Sequence, residues 1–390
     1  MAGITSRNSS WSCSQWIDRF VFVGDNLLQI NTEVFVENME KGLMILFLTI
    51  VVLTASCTSP TTDYKLLNAS YDPTRELYRE FNEVFAEHYK KETGKTVKIG
   101  VTHAGSSAQA RSVIEGLEAD VVTLALAYDI DNIAQKTNKL PLDWQKRLPY
   151  NSTPYFSTVV FLVRKGNPKN IKEWDDLIKP GIEIVVAHPK TSGVARWAYL
   201  AGWGYALQRE LGDLKKLHDP NAAAEVAVAQ GKAKEYITAL YKNVIILPPG
   251  ARTASQAFVQ QANGDVLLDW ENQAELTINE FGREQYEIVV PSVSILAEPP
   301  VALIDKNVDQ RGTRKVAEAY LEFLYSEEGQ EIVAKHYYRP QNKEILRKYA
   351  NNFVSVELFT IDEVFDNWQQ AQEKHFESGG VFDQIYVPAQ

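Results

Sequence analysis

Cysteine is nearly absent from this chain of 390 residues: Cys13 and Cys57 are the only two. A mature chain beginning at Cys57 can close no internal disulfide, and the spacing of the pair fits no metal-site pattern. Long apolar runs are also missing. The run Leu43–Leu53 is too short to span a bilayer. Positive charge is in deficit, with 40 Lys and Arg against 50 Asp and Glu and a net charge of −10. No basic cluster offers a phosphate-tracking surface, which excludes nucleic acid as a partner. The same deficit means that any bound anion must be held by local dipoles. There is no internal repeat, no low-complexity run and no G-x-S-x-G nucleophile elbow. Nothing points to a cofactor or a metal.

What is present exceeds one ordinary core, and 45% apolar residues is normal for a globular protein. Two lobes are therefore expected. At the amino terminus, Lys41 precedes the apolar run and Thr54-Ala55-Ser56-Cys57 follows it. Charged, apolar, then small residues is the order of a secretory signal. Cys57 after Ala55-Ser56 resembles a bacterial lipoprotein box, with the usual leucine displaced by one position. The plainer alternative is an ordinary signal peptide followed by an incidental cysteine. The reading is a possible upstream extension over 1–38, a signal peptide over 39–56 and a tether over 57–63.

From Tyr64 the chain alternates strands with helices. Pro73 to Glu92 reads as an amphipathic helix closed by Gly94. Thr158 to Val163 reads as a strand that crosses into a second lobe, and the return is expected near Ile295 to Ile304, punctuated by Glu298-Pro299-Pro300. The charged, alanine-rich stretch from Ala206 to Asn243 reads as helical with a break near Asp219-Pro220. Its solvated face is a candidate transporter-docking surface. Arg314 to Tyr337 reads as one long helix, bent near Gly329, and the tail from Leu346 as helical.

Function concentrates where strands end. His188-Pro189-Lys190-Thr191-Ser192-Gly193-Val194-Ala195-Arg196 follows the strand-like Ile182–Ala187 and precedes a helix start. A helix start leaves backbone N–H groups unpaired and aimed one way, and the helix dipole favours an anion there. Asp72-Pro73 is a second strand-to-helix junction, with Asp72 suited to an N-cap and Pro73 to the first helical position. Gly105-Ser106-Ser107 is a third and Pro248-Pro249-Gly250-Ala251 a fourth. Trp270 adds an indole donor at a fifth strand end. In open α/β sheets ligands collect at the carboxyl ends of strands, so five such ends predict one convergent site.

These segments resemble the prokaryotic periplasmic sulfate-binding proteins, the substrate-binding components of sulfate/thiosulfate ABC transporters. The resemblance runs from about Leu66 to Ile385. It is carried by SYDPTRELY, ADVVTLALAYD, RLPYNSTPYFSTVVFLVRKGNP, HPKTSGVAR, LAGWGYAL, DVLLDWEN, SILAEP, YSEEGQEI and LFTIDEVF. It implies the type II periplasmic binding fold, two α/β lobes with a ligand cleft between them. Lobe I would be 64–155 with 296–345, lobe II 156–295, and 346–390 a helical tail packed on the lobes. It also implies a non-enzymatic monomer in the periplasm or on the outer face of the cytoplasmic membrane, delivering sulfate or thiosulfate to permease subunits. By the same resemblance seven residues meet the ligand. Asp72 and Ala251 donate main-chain N–H groups, Ser106 its hydroxyl and Trp270 its indole N–H. Ser192, Gly193 and Val194 donate from the start of one helix. The chain departs from the family at His188, where Asn is usual, at Val194, where Gly is usual, and at Asp269, a carboxylate beside the indole.

Sulfate at neutral pH carries acceptors only, whereas hydrogen phosphate keeps a proton. A dry site built only of donors satisfies the first and leaves that proton unpaired, at a cost of about 1–3 kcal/mol or more. An enzyme reading would use Ser192 as nucleophile with one of His88, His103, His188, His218, His336 or His375, but no His-Asp-Ser order presents itself. A sibling receptor for thiosulfate, molybdate or another tetrahedral oxyanion shares the fold and stays open as a reading.

Overall fold

A parallel strand covered on both faces is built from a near-continuous apolar run, and several short runs of this chain become strands of that kind. The computed structural model describes residues 62–353 and 355–386. The expected extension, signal peptide, Cys57 and most of the tether lie outside the described residues. The main strands are β1 (Tyr64–Tyr71), β2 (Val97–Ala104), β3 (Val121–Thr123), β4 (Val159–Arg164), β5 (Ile184–Val186), β6 (Val244–Ile246), β7 (Val266–Trp270), β8 (Tyr286–Val289) and β9 (Val301–Leu303). One sheet has the order β9-β3-β1-β2 and the other β6-β5-β7-β4-β8. In the first, β1 runs parallel to β2 and β3, and β9 is antiparallel to β3. In the second, β5 runs parallel to β6 and β7, while β4 is antiparallel to both β7 and β8.

Among the described residues, the longer helices that dress the two sheets into α/β lobes are α1 (Arg75–Thr93), α2 (Ser106–Ile114), α3 (Ala127–Thr137), α4 (Gly193–Leu211), α5 (Ala223–Lys242), α6 (Ala251–Val259), α7 (Glu271–Phe281), α8 (Arg314–Phe323) and α9 (Glu327–Lys335). Shorter helical turns occur among the described residues besides these. The chain leaves the first sheet before Val159 and returns to it at Val301. The two connections lie side by side: Ser157 and Ala297 exchange both backbone hydrogen bonds at 2.9 Å. This isolated bridge ties the outgoing and returning connections between the two sheets.

Helix α4 is buried on nearly every side, from Gly193 through Leu207. A helix apolar all round belongs in a core. Its outer partner is the carboxyl-terminal tail, whose Trp368 packs on Trp197 with ring centroids 4.5 Å apart and whose His375 packs on Trp203 at 4.4 Å. The tail is not wholly helical. Glu357–Phe359 is a strand that pairs in parallel with Val293–Ile295, because Phe359 fills the space that Gly204 leaves on α4, where any Cβ would collide with the ring.

Three helical segments differ from expectation for reasons of capping. The first long helix starts at Arg75 after a 3-10 turn, Asp72–Thr74, and ends as read, with Gly94 left-handed at φ 73°. The long helix expected over 314–337 is two helices. Ser326 accepts the Gly329 N–H and so caps a new start, and the break falls at 324–326 rather than at Gly329. Gly329 instead permits a close approach, since a Cβ there would collide with the Phe323 carbonyl. In the alanine-rich stretch Asp213 and Asp219 each cap a 3-10 turn, so the interruption runs from Gly212 to Ala222.

Candidate anion site

The expected site residues sit just past the carboxyl ends of five strands. β1 delivers Asp72, β2 delivers Ser106, β5 leads to Ser192–Val194, β6 leads to Ala251, and Trp270 closes β7. Four of these junctions open a helical turn, so their leading N–H groups have no intrahelical partner. Cross-lobe contacts bring them together. A Cβ at Gly193 would lie 3.2 Å from the Ser106 Cβ and 2.7 Å from the Ala125 Cβ. A Cβ at Gly105 would lie 2.5 Å from the Thr191 carbonyl oxygen, and one at Gly250 would lie 3.1 Å from Asp72 Oδ2. The Tyr71 and Trp270 rings meet edge to face at 5.7 Å. The Trp197 indole donates across the cleft to the Ala125 carbonyl at 2.9 Å, and Arg252 of α6 pairs with Glu76 of α1 at 3.1 Å.

A donor count then separates the seven residues. The main-chain N–H groups of Asp72, Gly193, Val194 and Ala251 have no backbone or side-chain acceptor among the described residues. Trp270 is fully buried, and its indole nitrogen has no hydrogen-bond partner there. A buried donor left unpaired costs about 1–3 kcal/mol. Val194 is the second residue of α4 and outside the positive-φ set, so its Cβ leaves the N–H direction unchanged. Ser192 differs from expectation. Its main-chain N–H is spent on the His188 carbonyl at 2.9 Å. Its hydroxyl oxygen accepts the Ala195 N–H, which leaves the hydroxyl hydrogen as its available donor.

Two other residues differ as well. The N-cap position before the 72–74 turn is Tyr71, not Asp72, because Pro73 occupies the second position of that turn. The Asp72 carboxylate instead accepts from Arg75 at 2.8 Å. Ser106 gives its hydroxyl hydrogen to Asp129 at 2.5 Å and accepts the Ala125 N–H at 3.0 Å. In this conformation the Ser106 hydroxyl is a scaffold rather than a free donor. Asp129 also takes the Ser107 hydroxyl at 3.0 Å and faces Arg196 of the other lobe at 3.9 Å. Burial pushes the Asp129 carboxyl up, and Arg196 with the two hydroxyls pulls it back. No sequence signal links Asp129 to Ser106 from 23 residues away; only the packing of α2 on α3 joins them.

Asp269 turns toward α6. It accepts the Trp270 N–H at 2.8 Å and the Ser255 hydroxyl at 3.1 Å, and burial pushes its carboxyl up to about 7. His188 packs on Phe382 and Tyr386 and accepts the Lys190 N–H through Nδ1. No histidine is hydrogen-bonded to Ser192 among the described residues. The arrangement can therefore surround an acceptor-rich anion with neutral donors.

Comparison with known proteins identifies the chain's relatives. A model of the family described as bacterial extracellular solute-binding protein matches residues 66–339. The chain is 54% identical over 333 residues to the sulfate-binding protein of Escherichia coli (strain K12), covering 85% of this chain and 96% of that one. It is 49% identical over 323 residues to the thiosulfate-binding protein of Pseudomonas aeruginosa, covering 83% and 92%. Among solved structures it is similar to the sulfate-binding protein SubI from Mycobacterium tuberculosis H37Rv, at 26% identity and a TM-score of 0.67, covering 80% of this chain and 100% of that one.

The glycine contacts generate a test. Gly105 has φ −58° and ψ 142°, values that alanine adopts freely, so Gly105→Ala should fold with a normal thermal midpoint. Its added methyl meets a backbone oxygen of the opposing lobe and should hold the cleft open. With sulfate at saturation, small-angle scattering should give a larger radius of gyration than the parent protein under the same conditions; an unchanged radius would show that the two lobes do not meet at this point in solution.

Proposed function

This chain belongs to the bacterial extracellular solute-binding protein family, and from that premise we propose that it is a receptor that captures sulfate in the cell envelope and hands it to an ABC-type permease. The observation that carries this reading is the buried Trp270 indole N–H without a partner among the described residues, together with the uncommitted main-chain N–H groups of Asp72, Gly193, Val194 and Ala251. Six donors serve the ligand: the main-chain N–H groups of Asp72, Gly193, Val194 and Ala251, the Ser192 hydroxyl and the Trp270 indole. Ser106 holds the shape of the pocket through Asp129 and turns its hydroxyl inward only if that bond is exchanged. Charge is spread over the starts of α4 and α6 and their polarised peptides. The protein binds the anion without transforming it.

We place lobe I at 64–155 with 296–345 and lobe II at 156–295, hinged at the Ser157–Ala297 bridge. Asp72 and Ser106 then lie on one side of the cleft, with Ser192, Gly193, Val194, Ala251 and Trp270 on the other. A ligand that contacts both sides favours the closed state by its differential contacts, and the closed receptor is the form a permease can recognise. Thiosulfate is the second reading, favoured by the 49% identity to a protein of that name. Its terminal sulfur is a poor acceptor that would leave a donor less well paired.

Calorimetric titration tests the reading. Sulfate should give saturable heat at mildly alkaline pH, thiosulfate comparable or weaker binding, and phosphate little or none. Comparable affinity for sulfate and phosphate would sink the donor-only account.

Val194 isolates one donor. Val194→Gly keeps the peptide N–H and should bind sulfate within roughly tenfold of the parent, about 1.4 kcal/mol. Val194→Pro removes the N–H and should cost clearly more, although proline is tolerated in the first turn of a helix. Equal and mild losses in both would mean that this peptide does not face the anion.

Delivery and anchoring rest on the amino-terminal sequence. Residues before Cys57 are removed on export, and Cys57 carries lipid that tethers a monomeric receptor to the membrane surface. Intact-mass measurement of the native protein should find a chain starting at Cys57 with acyl chains. A free Cys57 in a soluble form would assign an ordinary signal peptide instead.

A further inference from the structure

Asp269 is an ionisable group beside the donor set that anion capture leaves without a task. It precedes Trp270 on β7 and is 1% exposed. Its Oδ1 accepts the Trp270 N–H and its Oδ2 accepts the Ser255 hydroxyl. Ser255 lies one turn into α6, and its oxygen is also 3.2 Å from the carbonyl oxygen of Ala251, the residue that opens that helix. The carboxyl is therefore tied by one hydrogen bond to each of two elements that present donors, Trp270 of β7 and the start of α6.

Among the described residues, no basic side chain is paired with it. Arg339 is held by both oxygens of Glu271, at 2.7 and 2.9 Å. Arg252 on α6 pairs with Glu76, and Arg196 on α4 faces Asp129. Arg164, on the adjoining β4, donates to the carbonyls of Phe258, Asn263 and Gly264. Glu275 on α7 is paired with Arg283. The remaining titratable neighbours are Tyr338 and Tyr71, hydroxyl to hydroxyl at 3.2 Å and kept protonated by burial. Opposite Asp269 on β4 stands Val160. Two hydrogen bonds and no counter-ion are little support for a buried carboxylate.

We propose that Asp269 makes anion binding proton-linked: a dianion binds with uptake of a proton from solvent at this carboxyl, so the receptor holds sulfate more tightly as pH falls. The geometry serves both protonation states. When Asp269 is charged, the Ser255 hydroxyl donates to Oδ2. When Oδ2 is protonated, it donates to the Ser255 oxygen, and the Ser255 hydrogen turns to the Ala251 carbonyl. The sign follows from repulsion. A dianion nearby raises the cost of the carboxylate, so the bound state retains the proton to higher pH than the free state. Since burial sets the free carboxyl at about 7, binding is tight and level below that pH. Above it affinity falls by at most about tenfold per pH unit for one proton, and it levels again once the carboxyl is ionised in both states.

This inference rests on the sulfate-receptor reading, and the test separates the two. Sulfate is titrated calorimetrically between pH 5.5 and 9 in paired buffers of different ionisation enthalpy, on the parent protein and on Asp269→Asn. The parent should take up a fraction of a proton, greatest above pH 7, and weaken by about tenfold or more across the range. Asp269→Asn should bind with the parent's low-pH affinity at every pH and take up none. Proton uptake that persists in Asp269→Asn, or parent affinity that is flat with pH, overturns the proposal while leaving a sulfate receptor intact. Absence of sulfate binding at every pH overturns the receptor reading itself. Should Asp269→Asn fail to fold, Ser255→Ala removes the hydroxyl that supports the carboxylate and should move the onset of weakening to higher pH; an unmoved onset also overturns it.

Discussion

An α-helix cannot satisfy the N–H groups of its own first turn, and the site depends on where this chain places those groups. At the surface, water would take them at little cost. Here the starts of α4 and α6, the 72–74 turn and the Trp270 indole are buried between lobes, where each unmatched donor costs about 1–3 kcal/mol. Closure without an acceptor is thus opposed by the same groups that make closure with an anion favourable. On the proposed reading the hinge can be simple for that reason. The Ser157–Ala297 bridge would need only to let two lobes approach, because the preference for the closed state would be carried by the donors and their ligand.

The net charge of −10 has the same sign as the anion, but the charges near the cleft are mostly paired locally. Arg75 meets Asp72, Arg252 meets Glu76, Arg196 faces Asp129, and Arg339 grips Glu271. Each pair contributes a dipole more than a net field, so the potential at the site is set at short range by oriented peptides. Cancelling the side-chain charges also removes competitors, since a free arginine in the cleft would bind phosphate and sulfate alike. Asp269 departs from this pattern by having hydrogen bonds but no counter-ion.

Features fixed by local chemistry were legible in the sequence. Small residues after apolar runs marked four helix starts, and the apolar stretch after Thr158 with the proline pair at 299–300 bracketed the two connections between the sheets. The rest depended on neighbours distant in sequence. The Ser106 hydroxyl reads as a donor until α3 supplies Asp129, and the Ser192 N–H reads as free until the chain turns back to the His188 carbonyl. Asp72 reads as a cap because Asp-Pro is a common helix opening, yet a 3-10 turn puts Tyr71 at that position. The break at 324–326 was placed too late because Gly329 is the more visible residue, while Ser326, which caps the second helix, is unobtrusive. The tail strand at 357–359 needed the Gly204 gap to be seen.

The same contacts explain why the chain tolerates valine where its family usually has a second glycine. Adjacent residues of α4 face different constraints. Gly193 points its Cα at the opposing lobe, where a Cβ would lie 2.7 Å from Ala125 and 3.2 Å from Leu126 and Ser106, so glycine is required for the lobes to meet. One residue on, the helix has turned by about 100 degrees, and the Val194 side chain is buried, 3% exposed. Only its N–H concerns the cleft, and a backbone donor in a helical first turn is indifferent to what its Cβ carries. The position that contacts the other lobe must lack a side chain, whereas the next position buries one. Valine at 194 thus adds buried apolar surface without removing the main-chain donor.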